Sequence, residues 1–321
     1  MSDQLYEELK INKPNAPVSL LKKAILEVIC YYDVFDHPVT LIEIERNLSF
    51  PVKNFSLIQE LNELKTKNII KNVDGYFFLN SRDANITRTR LEKEELARKI
   101  SGKAYFFGRI IGSFPFVHGV CISGSLSKGV LEKNGDVDFF VITSSQRLWV
   151  CRSFLILFKK LILFNSRKYF CVNYFVDKDD LFIPDHNIFT ATEISSLLPV
   201  INYDAYSGFL NKNRWIKQFR LNLIPHDRNK CKPYNKNIIK KGIEFVLNGK
   251  LGEKVDNWFF KLTLKRWKKK FPDFNLEEFD LNLRSRKTVS KHHPRGYQQK
   301  VLLAYDERMT GTLNLLKKNN S

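Results

Sequence analysis

Residues 116–143 read FVHGVCISGSLSKGVLEKNGDVDFFVIT, and the pattern of this stretch decides the fold. Residues 116–123 form an apolar, β-rich run that ends at Gly124-Ser125. A short turn or helix follows, and Asp136-Val137-Asp138 opens a second apolar strand that runs to Thr143. Side chains alternate along a strand, so Asp136 and Asp138 are expected on one face, about 7 Å apart. Two carboxylates so placed suit a hard divalent cation, Mg²⁺ or Mn²⁺, which takes oxygen ligands and leaves coordination sites for substrate phosphates. The Gly124-Ser125 turn lets backbone N–H groups and a hydroxyl approach a polyphosphate with no Cβ in the way, and Lys128 adds positive charge beside it. A phosphate cradle and a metal platform therefore lie side by side.

Working outward, residues 146–164 read as a long helix, followed by a strand over 168–176 (KYFCVNYFV) centred on Val172-Asn173-Tyr174. The pattern G-S-x-x-x-G followed by D-h-D resembles the signature of the DNA polymerase beta nucleotidyltransferase superfamily. That signature has an apolar residue, Gly, Gly or Ser, a gap of roughly ten residues, then Asp-h-Asp/Glu; here Leu126 to Gly135 fill the gap. The form GSLSKG-x6-DVD is similar to that of minimal and antibiotic-type members. The resemblance implies that Gly124 and Ser125 bind a nucleoside triphosphate and that Asp136 and Asp138 are the catalytic, magnesium-holding pair. Active members present a third carboxylate on the next strand, where this chain has Asn173. An amide can lend a carbonyl oxygen to a metal but cannot act as a base. Asp177, four residues further on, and Glu193 are the nearby acids that could take its place.

The N-terminal residues have their own organisation. A helical run over 20–31, a capping box Thr40-x-x-Glu43 opening a short helix, and a third helix over 55–67 with Leu57, Ile58, Leu61 and Leu64 on one face come first. Two β-prone runs, 68–71 and 76–79, follow, joined through Asn72-Val73-Asp74-Gly75. Three helices and a hairpin make a winged helix-turn-helix, a module that binds DNA or docks protein. Its expected recognition helix balances Glu60 and Glu63 against Lys65 and Lys67 and so lacks a basic face. Residues 84–100 read as a charged connecting helix.

The chain has 321 residues and a formal net charge of +19. Residues 221–321 hold 23 Lys and Arg against 10 Asp and Glu, so the excess is mostly C-terminal. There KLTLKRWKKK (261–270) reads as an amphipathic helix, with Phe260, Leu264, Trp267 and Phe271 on one stripe and Lys261, Lys265, Lys268 and Lys269 clear of it. It is either a solvated lysine face over a core stripe or a surface for a polyanion such as nucleic acid. Trp215 and Tyr206 are expected in the core or at its rim rather than under a base. In KHHPRG (291–296), His292 and His293 have no second ligand pair at metal spacing; the segment reads as a solvated loop, with contact to substrate phosphate as the sharper alternative.

Five well-separated cysteines with no C-x-x-C pair indicate reduced core thiols, not a disulfide framework or zinc site. The apolar stretch 153–164 (SFLILFKKLILF) is too short to span a membrane and carries two lysines, and residues 1–10 do not resemble a secretory signal. The expectation is a cytoplasmic α+β protein without a membrane partner. Its expected parts are a winged helix-turn-helix (1–83), a connecting helix (84–100), a nucleotidyltransferase-fold mixed sheet with helices (101–225) and a basic, mostly helical C-terminal domain (226–321). The expected activity moves a nucleoside monophosphate from an NTP to an unidentified acceptor hydroxyl with release of pyrophosphate. The alternative is a non-catalytic nucleic-acid-binding regulator or nucleotide sensor on a decayed transferase domain.

Overall fold

A computed structural model describes residues 19–166, 168–220, 226, 228–234 and 237–319. The chain is α+β and divides into two compact units, one of Met1–Leu91, Lys217–Ile224 and Gln299–Ser321, the other of Glu92–Ile216 and Pro225–Gln298.

In the first unit, Ser19 caps α1 (Leu20–Asp33) by accepting from the Lys22 amide at 3.1 Å. After β1 (Val39–Thr40) the expected capping box forms: the Glu43 amide donates to Thr40 Oγ1 at 3.2 Å, the Thr40 amide donates to Glu43 Oε2 at 2.9 Å, and α2 (Leu41–Asn47) begins. Helix α3 (Asn54–Thr66) buries Leu57, Leu61 and Leu64, a strict i, i+4, i+7 stripe. Ile58, expected on that face, lies a quarter turn off it and is 45 % exposed. Glu60 and Glu63 bind Lys22 Nζ at 3.1 and 2.8 Å, so the acids of α3 tie it to α1.

The hairpin forms with a shift. Strand β2 is Ile70–Val73, β3 is Tyr76–Leu79, and Val73 pairs with Tyr76. Only Asp74 and Gly75 turn, both at positive φ (51° and 83°), as a two-residue hairpin requires. The unexpected β1 completes a three-stranded antiparallel sheet in the order β1-β3-β2. The predicted connecting helix is longer: α4 runs from Asn85 to Gly112, because Ala97, Ala104 and Ile111 continue an apolar stripe into the core of the second unit.

The second unit is built on a five-stranded mixed sheet. In chain order its elements are β4 (Val117–Ser123), α5 (Gly124–Ser127), β5 (Asp138–Thr143), α6 (Leu148–Leu161), β6 (Cys171–Asp177), α7 (Ile188–Ser195), β7 (Leu198–Ile201) and α8 (Tyr203–Lys212). After these come α9 (Ile238–Val246), α10 (Lys250–Lys270), α11 (Leu276–Leu283) and β8 (Val289–Lys291); the last helix, α12 (Tyr297–Lys318), starts in this unit and belongs to the first from Gln299 onward. The strand order is β7-β4-β5-β6-β8, with β5 and β6 parallel and the other neighbours antiparallel. Phe139, Val141, Val172 and Phe175 point from β5 and β6 into a core shared with Ile111, Trp149 and Leu155. On the opposite face Phe140 meets Phe209 at 4.7 Å.

Two expectations about the C-terminal region meet different fates. The stripe on α10 holds: Trp267 is buried against Trp149 and Phe260 packs on the core, while Lys261, Lys265, Lys268 and Lys269 are exposed. Residues 226–321 do not stand as a separate block, however. Strand β8 pairs with β6 and belongs to the central sheet, and the residues from Gln299 onward fall in the first unit. A three-residue strand among helices carries no periodicity by which to see this. The cysteines are free; Cys30, Cys121, Cys151 and Cys171 are buried. Among the described residues no helix is long and apolar enough to cross a membrane.

Candidate functional site

The turn after β4 and the start of β5 meet at Asp138. Ser123 pairs with Asp138 in the antiparallel register, so the next residue, Gly124, lies directly over its side chain. Gly124 has φ +69°, a conformation L side chains avoid, and a Cβ there would stand 2.7 Å from Asp138 Oδ2. Both its conformation and its contact therefore require glycine. Ser125 follows as an exposed residue of the short α5, and its carbonyl accepts from the Lys128 and Val130 amides.

Strand β5 begins at Asp138, so Asp136 occupies the approach to the strand rather than the strand itself. Simple alternation is thus not what places it. Val137 already bonds sideways, its amide to Lys168 O and its carbonyl to the Cys171 amide, both at 3.0 Å, and its side chain is fully buried. Asp136 and Asp138 flank that inward-pointing residue, and the charge of Asp136 acts on Asp138.

Asn173 is in the site as an amide. The parallel register of β5 and β6 slips between Phe139 and Phe140, which face Val172 and Tyr174, leaving Asn173 as the extra residue of a bulge. From there its Nδ2 donates to Asp138 Oδ1 at 2.8 Å. Asp177 does not join it. It pairs with Thr143 at the far end of β6, roughly 17 Å along the strand from Asp138, and its carboxylate caps the Gln146 and Asp179 amides. A cavity of about 380 Å³ lined by Ser144, Lys178 and Lys241 lies at that same far end, away from the aspartate pair.

Glu193, on α7, does enter the neighbourhood. Its Oε1 lies 2.8 Å from Lys128 Nζ, which also donates to Gly124 O at 3.0 Å. Lys128, expected to face phosphate, is thus committed to a carboxylate and a carbonyl and is only 14 % exposed. Burial pushes the Asp138 carboxyl up to about 6; the Cys171 thiol opposes this, the charges of Asp136 and Glu193 add to it, and Lys128 offsets part. Burial raises the Tyr297 phenol as well, and Glu193, Asp138 and Glu132 add to that rise. Sequence reasoning gave Tyr297 no role, and its only signal was its place directly after KHHPRG.

That segment is not a solvated loop. The His292 amide donates to Asn173 O at 2.9 Å, and the His292 ring lies 4.9 Å from Trp267. Burial holds the His293 imidazole down at about 4. Trp215 stacks on His186 at 4.2 Å and Tyr206 is buried, so both serve as core or rim residues.

Among the described residues no group of three or more His, Cys, Asp or Glu is placed to hold a metal. The donor set suits a different arrangement, in which two carboxylates hold a divalent cation and phosphate oxygens complete its shell. Asp138 is penned in by burial and by like charge, which a cation would relieve, and the missing Cβ of Gly124 lets the turn backbone approach its Oδ2. Compared with known proteins, the chain matches no family model, no curated protein sequence and no solved structure.

Proposed function

We propose that the second unit is a nucleotidyltransferase-type domain that binds a nucleoside triphosphate with Mg²⁺ or Mn²⁺ and transfers its nucleoside monophosphate to an acceptor hydroxyl. The observation that carries this reading is the apposition of Gly124 and Asp138, where a glycine required twice over lets the turn backbone pack directly against the carboxylate. The order α4-β4-α5-β5-α6-β6, with the glycine turn after β4 and the acids at the start of β5, supports it further.

When bound, the divalent ion would neutralise charge on the triphosphate and align its α-phosphorus. Asp136 and Asp138 would hold it, and Asn173 fixes the rotamer of Asp138 through its 2.8 Å bond. Gly124 and Ser125 present backbone to the phosphates. The acceptor oxygen attacks the α-phosphorus, the bond to the bridging oxygen breaks, and pyrophosphate leaves with that electron pair. Asn173 cannot take the acceptor's proton and Asp177 is too far away, which leaves Glu193 as the carboxylate for it. Catalysis is then mostly positioning and charge neutralisation.

The closed Lys128–Glu193 pair and the amide at Asn173 favour a second reading, in which the same site binds nucleotide without turnover and serves as a sensor. The first unit reads as a winged helix. The outward groove on α3 is lined by Phe55, Ile58, Gln59, Asn62, Glu63, Thr66 and Lys67, with one acid and one base, which suits a protein partner better than a phosphate backbone. The exposed lysines of α10 are the better candidate for a nucleic-acid or acceptor surface.

NTP-dependent labelling of candidate acceptors by wild type and by an Asp136→Ala/Asp138→Ala variant tests the proposal. Labelling by wild type alone is expected, equal labelling by both refutes catalysis at this site, and metal-dependent nucleotide binding without labelling selects the sensor.

A further inference from the structure

The segment 291–297 (KHHPRGY) is more than 150 residues from Asp138 in sequence, yet strand pairing brings it to the site. Lys291 pairs with Tyr174, the next amide bonds Asn173 O at 2.9 Å, and Asn173 in turn holds Asp138 at 2.8 Å. The chain then turns through Pro294, Arg295 and Gly296, the last at φ +61°, and enters α12 at Tyr297. The buried Lys291 closes this loop on itself, its Nζ donating to Gln298 Oε1 at 2.9 Å. Tyr297 is therefore fixed in place rather than carried on a loose tail.

The far side of the loop reaches the other half of the site. The Tyr297 ring lies edge-on to Phe189 at 6.0 Å, and Phe189 precedes Glu193 by four residues, about one turn, on α7. One short loop thus runs from the Asn173 side of Asp138 to the Glu193 side. Tyr297 is 49 % exposed, and the charges of Glu193 and Asp138 reach its phenol, so a braced, half-exposed aromatic side chain lies near the carboxylates. A flat π-surface next to a polyphosphate site is what a nucleobase packs on.

Resting on the nucleotide reading of the Asp136–Asp138 site, we propose that Tyr297 is the platform on which the base of the bound nucleoside triphosphate stacks. The ligand is then a base-bearing nucleotide, not a bare polyphosphate or a sugar phosphate. Phe189 braces the ring from its edge, and the Lys291–Gln298 bond holds the loop that presents it.

Calorimetric binding to the full chain with Mg²⁺ tests this, using the α,β-methylene analogues of ATP and of UTP and, as a base-free probe, tripolyphosphate. Wild type and Tyr297→Phe are expected to bind the tighter analogue about 10-fold or more above tripolyphosphate. Tyr297→Ala is expected to weaken analogue binding about 5- to 100-fold, the range of one base–aromatic stack, and to leave tripolyphosphate binding unchanged. If Tyr297→Ala binds the analogue as wild type does while Asp138→Ala loses it, the platform is wrong and the nucleotide site stands. A loss of tripolyphosphate binding in Tyr297→Ala assigns the residue a merely structural role and also overturns the platform. If wild type binds neither probe, the nucleotide reading itself fails and takes the platform with it.

Discussion

Replacing Gly124 by alanine separates two costs that the structure places at one residue. The first is conformational: φ is +69°, and an L residue held in the left-handed region costs about 1–2 kcal/mol. The second is contact: the new methyl would lie 2.7 Å from Asp138 Oδ2, and the carboxylate cannot swing away freely because Asn173 Nδ2 holds its other oxygen at 2.8 Å. Breaking that bond to a charged group adds about 1.5–3 kcal/mol. Gly124→Ala is thus expected to destabilise the protein by about 2.5–5 kcal/mol and to abolish metal-dependent nucleotide binding. Gly129 supplies the control, because its φ is +77° but nothing lies within 4 Å of where an alanine methyl would stand. Gly129→Ala should cost only the conformational part, about 1–2 kcal/mol, and leave nucleotide binding intact. Urea unfolding without divalent ions, followed by nucleotide titration of each variant, measures both quantities. Equal destabilisation by the two substitutions, with nucleotide binding kept in both, would refute the claim that Gly124 exists to clear Asp138.

The pH dependence at Asp138 has a definite sign. Its carboxyl sits at about 6 in the fold against 3.8 when free, so its contribution is fully present below about pH 4 and is lost as the pH rises through 6. Asp138→Asn should therefore be more stable than wild type by about 1–3 kcal/mol at pH 8 without divalent ions, with the gap closing towards pH 4, as urea melts at several pH values would record. Trp267→Ala removes a buried ring that packs on Trp149 and lies 4.8 Å under the Arg152 guanidinium, and should cost about 3–5 kcal/mol, whereas Lys265→Ala on the exposed side should stay within about 0.5 kcal/mol. Lys22→Ala removes the ion pairs to Glu60 and Glu63 and leaves the Ser19 Oγ bond to Glu60, with an expected loss of about 1 kcal/mol that shrinks in high salt; a loss independent of salt would show that charge contributes little to joining α1 and α3.

What could be read from sequence was local. The Thr40–Glu43 box, the Asp74-Gly75 turn, the stripe of α10 and the strand–turn–strand around Gly124 each declare themselves within one continuous stretch of sequence, through caps, turn chemistry or periodicity. What escaped was set by pairing over distance. Asp177 looked like a neighbour of Asn173 because alternation reports which face a residue takes, not that four residues along a strand carry it out of reach. The Lys128–Glu193 pair joins residues 65 apart, and no local pattern announces it. Strand β8 is too short to show a period, so the arrival of His292 and Tyr297 at the site stayed hidden; His292, which hydropathy alone leaves in solvent, bonds Asn173 and packs on Trp267, and the His293 amide donates to Asn282 O. The bulge at Asn173 is a slip of one residue in register, visible only once β5 and β6 are paired.

The central claim is that Asp136 and Asp138, cleared by Gly124, hold a divalent cation together with a nucleoside triphosphate. Electron paramagnetic resonance of free Mn²⁺ tests it most directly, titrated into wild type and into Asp136→Ala/Asp138→Ala with and without a non-hydrolysable NTP. The account predicts saturable Mn²⁺ uptake by wild type that tightens with the nucleotide and is missing from the double variant. Equal uptake by both proteins, or uptake indifferent to nucleotide, would contradict it.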